Sequence, residues 1–260
     1  MKAWKIFLSV GITVFILGII IFIIGLSMNG WKTTVEYTMY TFNAEDDNNS
    51  LDLSLSAGGM NVEFYDGDKV QVHYPTSYPY GYEVYERDGS VFVKPTKTFF
   101  LWFGWRNIPD VTVKIPKDKK MHLKLSVSAG TATVADGEYD GVNFDLSAGK
   151  IVAHGMKTQS IRADISAGYL SMDKLDSKQI TVKLSAGSAD IKCAYSEKVT
   201  ANVSAGSINM WLAGAKSDYS ITVDKSAGSC NVGNQSGILS YKRIDIDISA
   251  GTVNAYFPLT

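Results

Sequence analysis

The sequence has 260 residues, of which 45% are hydrophobic and 20% are charged, and 25 basic residues nearly balance 26 acidic ones to give a formal net charge of -1. This length and apolar content are sufficient for one or two folded domains, which excludes wholesale disorder. The near-zero charge argues against a nucleic-acid binder, which needs clustered lysines and arginines, and the presence of only two cysteines excludes a disulfide-rich scaffold.

The N-terminal segment predicts a membrane anchor. Ile6 to Leu26 is a run of 21 residues without a charge or a proline, and a helix of this length spans about 31 Å, close to the thickness of a bilayer hydrocarbon core. A cleaved signal peptide is the alternative, but its apolar region is shorter, roughly 7 to 15 residues, and no small-residue cleavage site follows Leu26. Lys2 and Lys5 precede the span and only Lys32 follows it closely, so the positive-inside rule places the N-terminus in the cytoplasm.

We therefore expect a cytoplasmic N-terminus and transmembrane anchor over residues 1–30 and an extracytoplasmic domain over residues 31–260. Within the anchor, Gly11, Gly18 and Gly25 recur every seven residues and form one stripe on the helix. Small residues in line allow two helices to approach closely, so a homodimer formed through this stripe is one interpretation. The other is that glycine is simply frequent in membrane helices.

A repeated tripeptide dominates the rest of the chain. Ser-Ala-Gly occurs eight times, beginning at Ser56, and from Ser128 onward the copies lie 19, 19, 19, 19, 22 and 23 residues apart. The residues before each copy alternate between apolar and polar, as in Val142, Phe144 and Leu146, and a shorter alternating segment follows. Such alternation predicts strands with one face in a core. The repetition predicts an all-β, single-domain β-solenoid (β-helix) of about 19-residue coils, in which each coil pairs with the next.

We interpret the tripeptide as the corner between the two strands of a coil. Glycine is expected to supply an unusual backbone conformation or a tight corner there, and alanine is expected to fit the crowded inside of the corner. The corner glycines are Gly58, Gly130, Gly149, Gly168, Gly187, Gly206, Gly228 and Gly251.

The first unit is interrupted by an aromatic-rich insertion over residues 75–110. A hairpin is predicted within it, with strands near residues 82–86 and 90–94 around Arg87-Asp88-Gly89. Two interpretations of the aromatic run at its end stay open: a cap that covers the first coil, or an exposed loop that contacts the membrane interface or a partner. The residues of this run are Phe99, Phe100, Leu101, Trp102, Phe103 and Trp105.

Three features together resemble a bacterial family of "putative adhesin" domains of unknown function, which are built from β-strand repeats. They are the N-terminal anchor, the recurring Ser-Ala-Gly after an alternating strand, and the segment Val111-Thr112-Val113-Lys114-Ile115-Pro116-Lys117. The resemblance covers nearly the whole chain. It implies a repeat fold in an envelope protein, and some proteins of this kind are linked to envelope-stress or antimicrobial-peptide responses. It implies no active site.

The sequence offers little for catalysis or metal binding. None of the three histidines has a partner at metal-ligand or nucleophile spacing. Asp145 and Asp164 are expected in one outward row of adjacent coils, which favours a solvated face over the carboxylate pair in a cleft that a glycosidase needs. Cys193 is expected in a loop and Cys230 at an inward position, as separate thiols. No cofactor and no metal ion are predicted.

These observations predict a single-pass protein of the cell membrane whose C-terminal domain is a non-enzymatic binding or structural, adhesin-like module of the bacterial envelope. The expected partners are the lipid bilayer and a membrane protein or an envelope polymer, and no nucleic acid. One alternative is an accessory or sensor protein of an envelope-stress or antimicrobial-peptide response. A second is a carbohydrate-active enzyme, which an aromatic-lined cleft with paired carboxylates would favour.

Overall fold

The computed structural model describes residue 18 and residues 35–43, 50–76, 81–96, 109–239 and 241–257. The chain divides into two compact units, Met1–Val35 and Glu36–Thr260. In the second unit the described residues form seventeen strands and one 3-10 turn at Lys216–Asp218. The strands are β1 (Tyr37–Asn43), β2 (Ser50–Leu55), β3 (Gly59–Tyr65), β4 (Lys69–Pro75), β5 (Tyr82–Arg87), β6 (Ser90–Pro95), β7 (Val111–Pro116), β8 (Met121–Val127), β9 (Thr131–Val134), β10 (Gly137–Leu146), β11 (Lys150–His154), β12 (Met156–Ile165), β13 (Tyr169–Leu184), β14 (Ser188–Tyr195), β15 (Lys198–Leu212), β16 (Ser220–Cys230) and β17 (Arg243–Tyr256).

Each regular coil contributes strand residues to two ladders of one continuous sheet. The first ladder holds the residues before each Ser-Ala-Gly and runs β5-β6-β2-β8-β10-β12-β13-β15-β17-β16. The second holds the residues after it and runs β1-β4-β7-β3-β9-β11-β13-β14-β15-β17-β16. Pairing between regular coils is parallel, and Val142 faces Ile161, which faces Ile180. The predicted all-β repeat fold is therefore confirmed.

The core lies between the two ladders and takes one residue in two from each of them. Because side chains of a strand alternate in direction, the apolar rows of the sequence all meet in a single hydrophobic cluster. The predicted inward positions of the regular coils are buried: Val142, Phe144, Leu146, Ile161, Ala163, Ile165, Ile180, Val182, Leu184, Val199, Ala201 and Val203.

The corner glycines stack in a column, and the two expected reasons for glycine, an unusual backbone conformation and a tight corner, apply at different positions. A left-handed φ, between 89° and 130°, occurs at Gly58, Gly187, Gly206 and Gly228. At Gly130, Gly149, Gly168 and Gly251 glycine is needed for space instead. A Cβ on Gly168, for example, would lie 2.5 Å from Leu146 Cγ and 2.7 Å from the carbonyl oxygen of Gly149. Glycine at these corners lets successive coils approach closely.

The expectation for the alanine of the tripeptide is wrong. The serine and alanine of a regular corner both face outward before the chain turns its glycine toward the preceding coil, so the glycine, rather than the alanine, occupies the crowded position. The exposed alanines are Ala129, Ala148, Ala167, Ala186, Ala205, Ala227 and Ala250.

The two ends of the coil stack also depart from a simple serial order. At the C-terminal end, β17 lies between β15 and β16, so the last coil of the sequence is not the last in space. At the other end, the predicted hairpin is confirmed as β5 and β6, but it does not merely interrupt the repeat. β6 pairs with β2 and β7 pairs with β3, so β6 and β7 form a layer beside the first coil. Val91 and Val93 of β6 are fully buried in the core.

Candidate binding surfaces

Several predicted site residues lie outside the described part of the chain. They are Gly11, Gly25, Phe99, Phe100, Leu101, Trp102, Phe103 and Trp105, together with all of the predicted span 6–26 except Gly18. Gly18 is helical and exposed. Among the described residues, no helix has the length and hydropathy that a membrane span requires.

The layer of β6 and β7 covers one side of the first coil. On the side away from the regular coils, Leu51 of the first coil faces Val91 and Leu53 faces Val93. Val62 faces Val113 of β7 in the same way. The first coil is thus covered on this side by strand residues.

The outer face of the β5–β6 hairpin carries a stacked pair of aromatic rings beneath two cations. The rings of Tyr85 and Phe92 lie 5.0 Å apart with an interplanar angle of 14°. Above Phe92, Lys94 Nζ lies 4.7 Å and Arg87 Cζ 5.4 Å from the ring centroid. We call Tyr85, Arg87, Phe92 and Lys94 the hairpin patch. Glu83 is the cross-strand neighbour of Lys94, so the charge on this face is mixed.

The turn between β5 and β6 sets the register that brings these rings together. Asp88 and Gly89 both have a positive φ, 53° and 70°, as a two-residue turn with the twist of a hairpin requires. Arg87 therefore faces Ser90, and Tyr85 faces Phe92 two residues further along. The sequence predicted the hairpin and its turn, and strict cross-strand counting from Asp88-Gly89 would have predicted the ring pair as well.

The predicted outward carboxylate row lies on the first ladder. Asp145 is directly beside Asp164, which is followed by Lys183. Arg162 Nε donates a hydrogen bond of 2.8 Å to Asp164 Oδ2, and its Nη2 donates one of 3.2 Å to Oδ1. The side chains of this pair are 50% and 36% exposed. Such an arrangement is a solvated face with a local ion pair.

Elsewhere on the surface, the carboxylate of Glu138 lies between two lysines. Its Oε2 lies 2.8 Å from Lys120 Nζ and its Oε1 lies 2.9 Å from Lys157 Nζ. The hydrogen bonds from the two lysines lower the pKa of Glu138 to about 2. These residues tie three successive coils together, because β8, β10 and β12 are neighbours in the first ladder.

The histidines and cysteines form no reactive centre in the part of the chain that the structure describes. His73, His122 and His154 are exposed, and no group of three or more metal-ligating side chains occurs among the described residues. Both cysteines are free thiols, as expected. The placement of Cys193 in a loop is wrong, since it lies within β14 and is buried, and burial raises the pKa of its thiol to about 12.

Comparison with known proteins identifies a family and a set of similar folds. A family model described as Toastrack DUF4097 matches residues 49–255. No curated protein matches the chain. The chain is similar to a "putative lipid binding protein" of Parabacteroides distasonis, with a TM-score of 0.51 and 16% identity over 86% of this chain and 97% of the other.

Two further solved structures are similar over most of their length. One is a "putative adhesin" of Bacteroides fragilis, with a TM-score of 0.46 and 12% identity, covering 85% of this chain and 98% of the other. The second is a "putative cell adhesion protein" of Clostridium sporogenes, with a TM-score of 0.44 and 13% identity, covering 86% of this chain and 100% of the other.

Proposed function

The chain belongs to the Toastrack DUF4097 family, and we propose that it is a membrane-anchored, extracytoplasmic binding module of the bacterial envelope. Its hairpin patch and the neighbouring aromatic run contact the lipid surface. The anchor and the orientation rest on the sequence, namely the apolar span Ile6 to Leu26 and the lysines that precede it. Two regular strand ladders around one hydrophobic cluster support binding rather than catalysis as its role.

The observation that carries the lipid contact is the stacked Tyr85–Phe92 pair with Arg87 and Lys94 over it. Aromatic rings favour the headgroup region of a bilayer, and long basic side chains reach the phosphates while their stems cover the rings. In sequence, Lys97 and Arg106 add two positive charges beside the aromatic run.

The position of the patch in the coil stack supports the same proposal. β5 and β6 end the first ladder, and β1 and β4 end the second ladder on the same side of the stack. The second unit begins at Glu36, immediately before β1. The chain therefore enters the second unit at the end that bears the hairpin patch.

Vesicle binding tests this proposal with the membrane anchor removed. A shortened chain of residues 31–260 should co-sediment with vesicles that contain phosphatidylglycerol and bind those of phosphatidylcholine alone more weakly, because cations and rings act together. Phe92→Ser with Tyr85→Ser should reduce binding while the melting temperature changes little. Tyr241→Ser is the matched control, because Tyr241 is 55% exposed and lies outside the patch.

The aromatic run is tested in the same assay. Replacement of Phe100, Trp102 and Trp105 with serine should also reduce vesicle binding and leave the melting temperature nearly unchanged. A large fall in melting temperature would show instead that these rings support the fold. Vesicle binding that survives both sets of substitutions would contradict the proposed lipid contact.

A further inference from the structure

A second surface lies at the C-terminal end of the second ladder, on its outer face. The parallel register places Asp190, Asn209 and Asn254 in one row across β14, β15 and β17. Two residues further along each strand, Lys192, Trp211 and Tyr256 form an adjacent row. We call these six residues the ladder strip.

The polar row is held by a chain of hydrogen bonds from coil to coil. Tyr169 Oη donates to Asp190 Oδ2 at 2.8 Å, and Asn209 Nδ2 donates to Asp190 Oδ1 at 2.9 Å. Asn254 Nδ2 in turn donates to Asn209 Oδ1 at 3.0 Å. The Nδ2 atoms of Asn209 and Asn254 each carry a second hydrogen that takes no part in this row of hydrogen bonds. The row therefore presents fixed amides at the spacing of neighbouring strands, about 4.8 Å.

The aromatic row ends in an exposed ring. The rings of Trp211 and Tyr256 stack with their centres 5.2 Å apart. On the neighbouring strand β14, Lys192 Nζ lies 5.7 Å from the centre of the Trp211 ring. Tyr256 is 41% exposed, and its second ring face points away from Trp211, toward the side of β16.

The pairing of β16 with β17 ends before it reaches that ring. The side chain of Asn231 pairs with the backbone of Ala255, so the strand pairing of β16 ends at Cys230. Tyr256 lies three residues beyond Val253, the last residue of β17 that pairs with β16, so no paired residue of β16 lies beside its ring.

An exposed ring face beside oriented amides suits a pyranose sugar, whose C–H face packs on the ring while its polar substituents reach the amides. Beside Asn254 on the same strand, Thr252 Oγ1 lies 3.0 Å from Ser229 Oγ and adds two hydroxyls. The strip holds one acid, Asp190, and one base, Lys192, so it favours a neutral ligand over an anionic one.

We infer that the ladder strip binds a neutral glycan chain of N-acetylated pyranoses, with one sugar on the exposed ring of Tyr256 and its acetamido group paired with Asn254. An acetamido group fits because it offers one N–H and one carbonyl, as the asparagine amide does. The chain of sugars follows the strip across successive coils. This inference deepens the proposed function by naming an envelope polymer as a ligand, and it uses a surface separate from the hairpin patch.

The test measures binding of a β-1,4-linked N-acetylglucosamine hexasaccharide to the full chain in detergent micelles by isothermal titration calorimetry. The glucose hexasaccharide, which lacks the acetamido groups, is the ligand control and should bind more weakly. Tyr256→Ser should weaken binding about tenfold through the lost ring contact, and Asn254→Ala should remove the preference for the acetylated sugar. Tyr241→Ser and Tyr85→Ser should bind as the unmodified protein does.

Two results would overturn the inference: an unmodified protein that binds neither hexasaccharide, or a Tyr256→Ser protein with unchanged affinity. If Tyr256→Ser lowers the melting temperature, two apolar variants replace it. Tyr256→Phe must retain the affinity and Tyr256→Leu must lose it, because phenylalanine keeps an aromatic ring face and leucine does not. Vesicle binding separates this inference from the proposed function. Variants of the strip should still bind vesicles, and variants of the hairpin patch should still bind the hexasaccharide.

Discussion

The register of the coils makes a sharp prediction for two neighbouring residues of β13. Val182 points into the core with no exposed surface, between Ala163 of β12 and Ala201 of β15. Thr181, one residue earlier, is half-buried on the outer face between Arg162 and Thr200. An aspartate introduced at each position should therefore have very different consequences.

The expected magnitude for Val182→Asp follows from its surroundings. Loss of the buried valine side chain removes about 1.5 to 3 kcal/mol of hydrophobic stabilisation. A carboxylate between two alanines finds no donor, and burial of an unpaired polar or charged group adds several kcal/mol. The sum, about 4 to 6 kcal/mol, is a large fraction of the roughly 5 to 15 kcal/mol that stabilises a typical domain. Thr181→Asp should change the free energy of unfolding by less than about 0.5 kcal/mol, because it stays at the surface beside Arg162.

Urea unfolding of the unmodified protein and the two variants, followed by far-ultraviolet circular dichroism, measures both effects. The Val182→Asp transition should move to much lower urea or be absent, and the Thr181→Asp transition should overlay that of the unmodified protein. Equal shifts for the two variants would refute the assigned register of β13.

Four further predictions concern other features of the fold. Gly168→Ala should destabilise the domain by about 1 to 3 kcal/mol, because the added Cβ collides with the preceding coil; an unchanged urea midpoint would contradict this. In the folded protein near neutral pH a thiol reagent should modify Cys230, which is half-buried, well before the buried Cys193, whose pKa is raised to about 12; equal rates would disprove the burial. The lowered pKa of Glu138 means that its contribution to stability is present above its ordinary pKa of 4.5 and is lost as the pH falls toward about 2. Glu138→Gln should therefore flatten the fall of melting temperature over that range at low salt, and an unaltered curve would show that the ion pairs contribute nothing. Lys225→Val should promote self-association in sedimentation velocity, since it removes an exposed charge from the inner row of the edge strand β16; a strictly monomeric variant would argue against this protective role.

The parts of the fold that could be predicted from the sequence are those with local periodicity. Val142, Phe144 and Leu146 alternate with polar residues in one short segment, and the same pattern returns 19 residues later. Alternation fixes which side chains face the core, and the repeat fixes how neighbouring coils align. Both predictions hold in every regular coil.

The order of the last coils could not be predicted in this way. β16 and β17 carry similar alternating patterns, so either could lie next to β15 on local grounds. One residue nevertheless signals the outcome. Lys225 occupies an inner-row position, where a strand covered on both sides would bury its charge. Placing β16 at the edge leaves Lys225 exposed, and β17 takes the covered position with Ile248 there instead.

Surface sites were the least predictable feature, because they depend on pairs of residues distant in sequence. The Tyr85–Phe92 pair follows from one turn and is therefore close to what local reasoning reaches. The row that joins Asn209 to Asn254 spans 45 residues and requires knowing that β17 lies beside β15. Such a row can be predicted only after the order of the coils is known.

Photo-crosslinking in intact cells tests most directly the claim that this protein is an extracytoplasmic binding module. A benzophenone amino acid is placed at Phe92 in the hairpin patch, at Tyr256 in the ladder strip, and at Tyr241 as an exposed control. The account predicts phospholipid adducts from position 92, adducts with cell-wall glycan from position 256, and neither from position 241. Adducts with cytoplasmic proteins from positions 92 and 256 would contradict it.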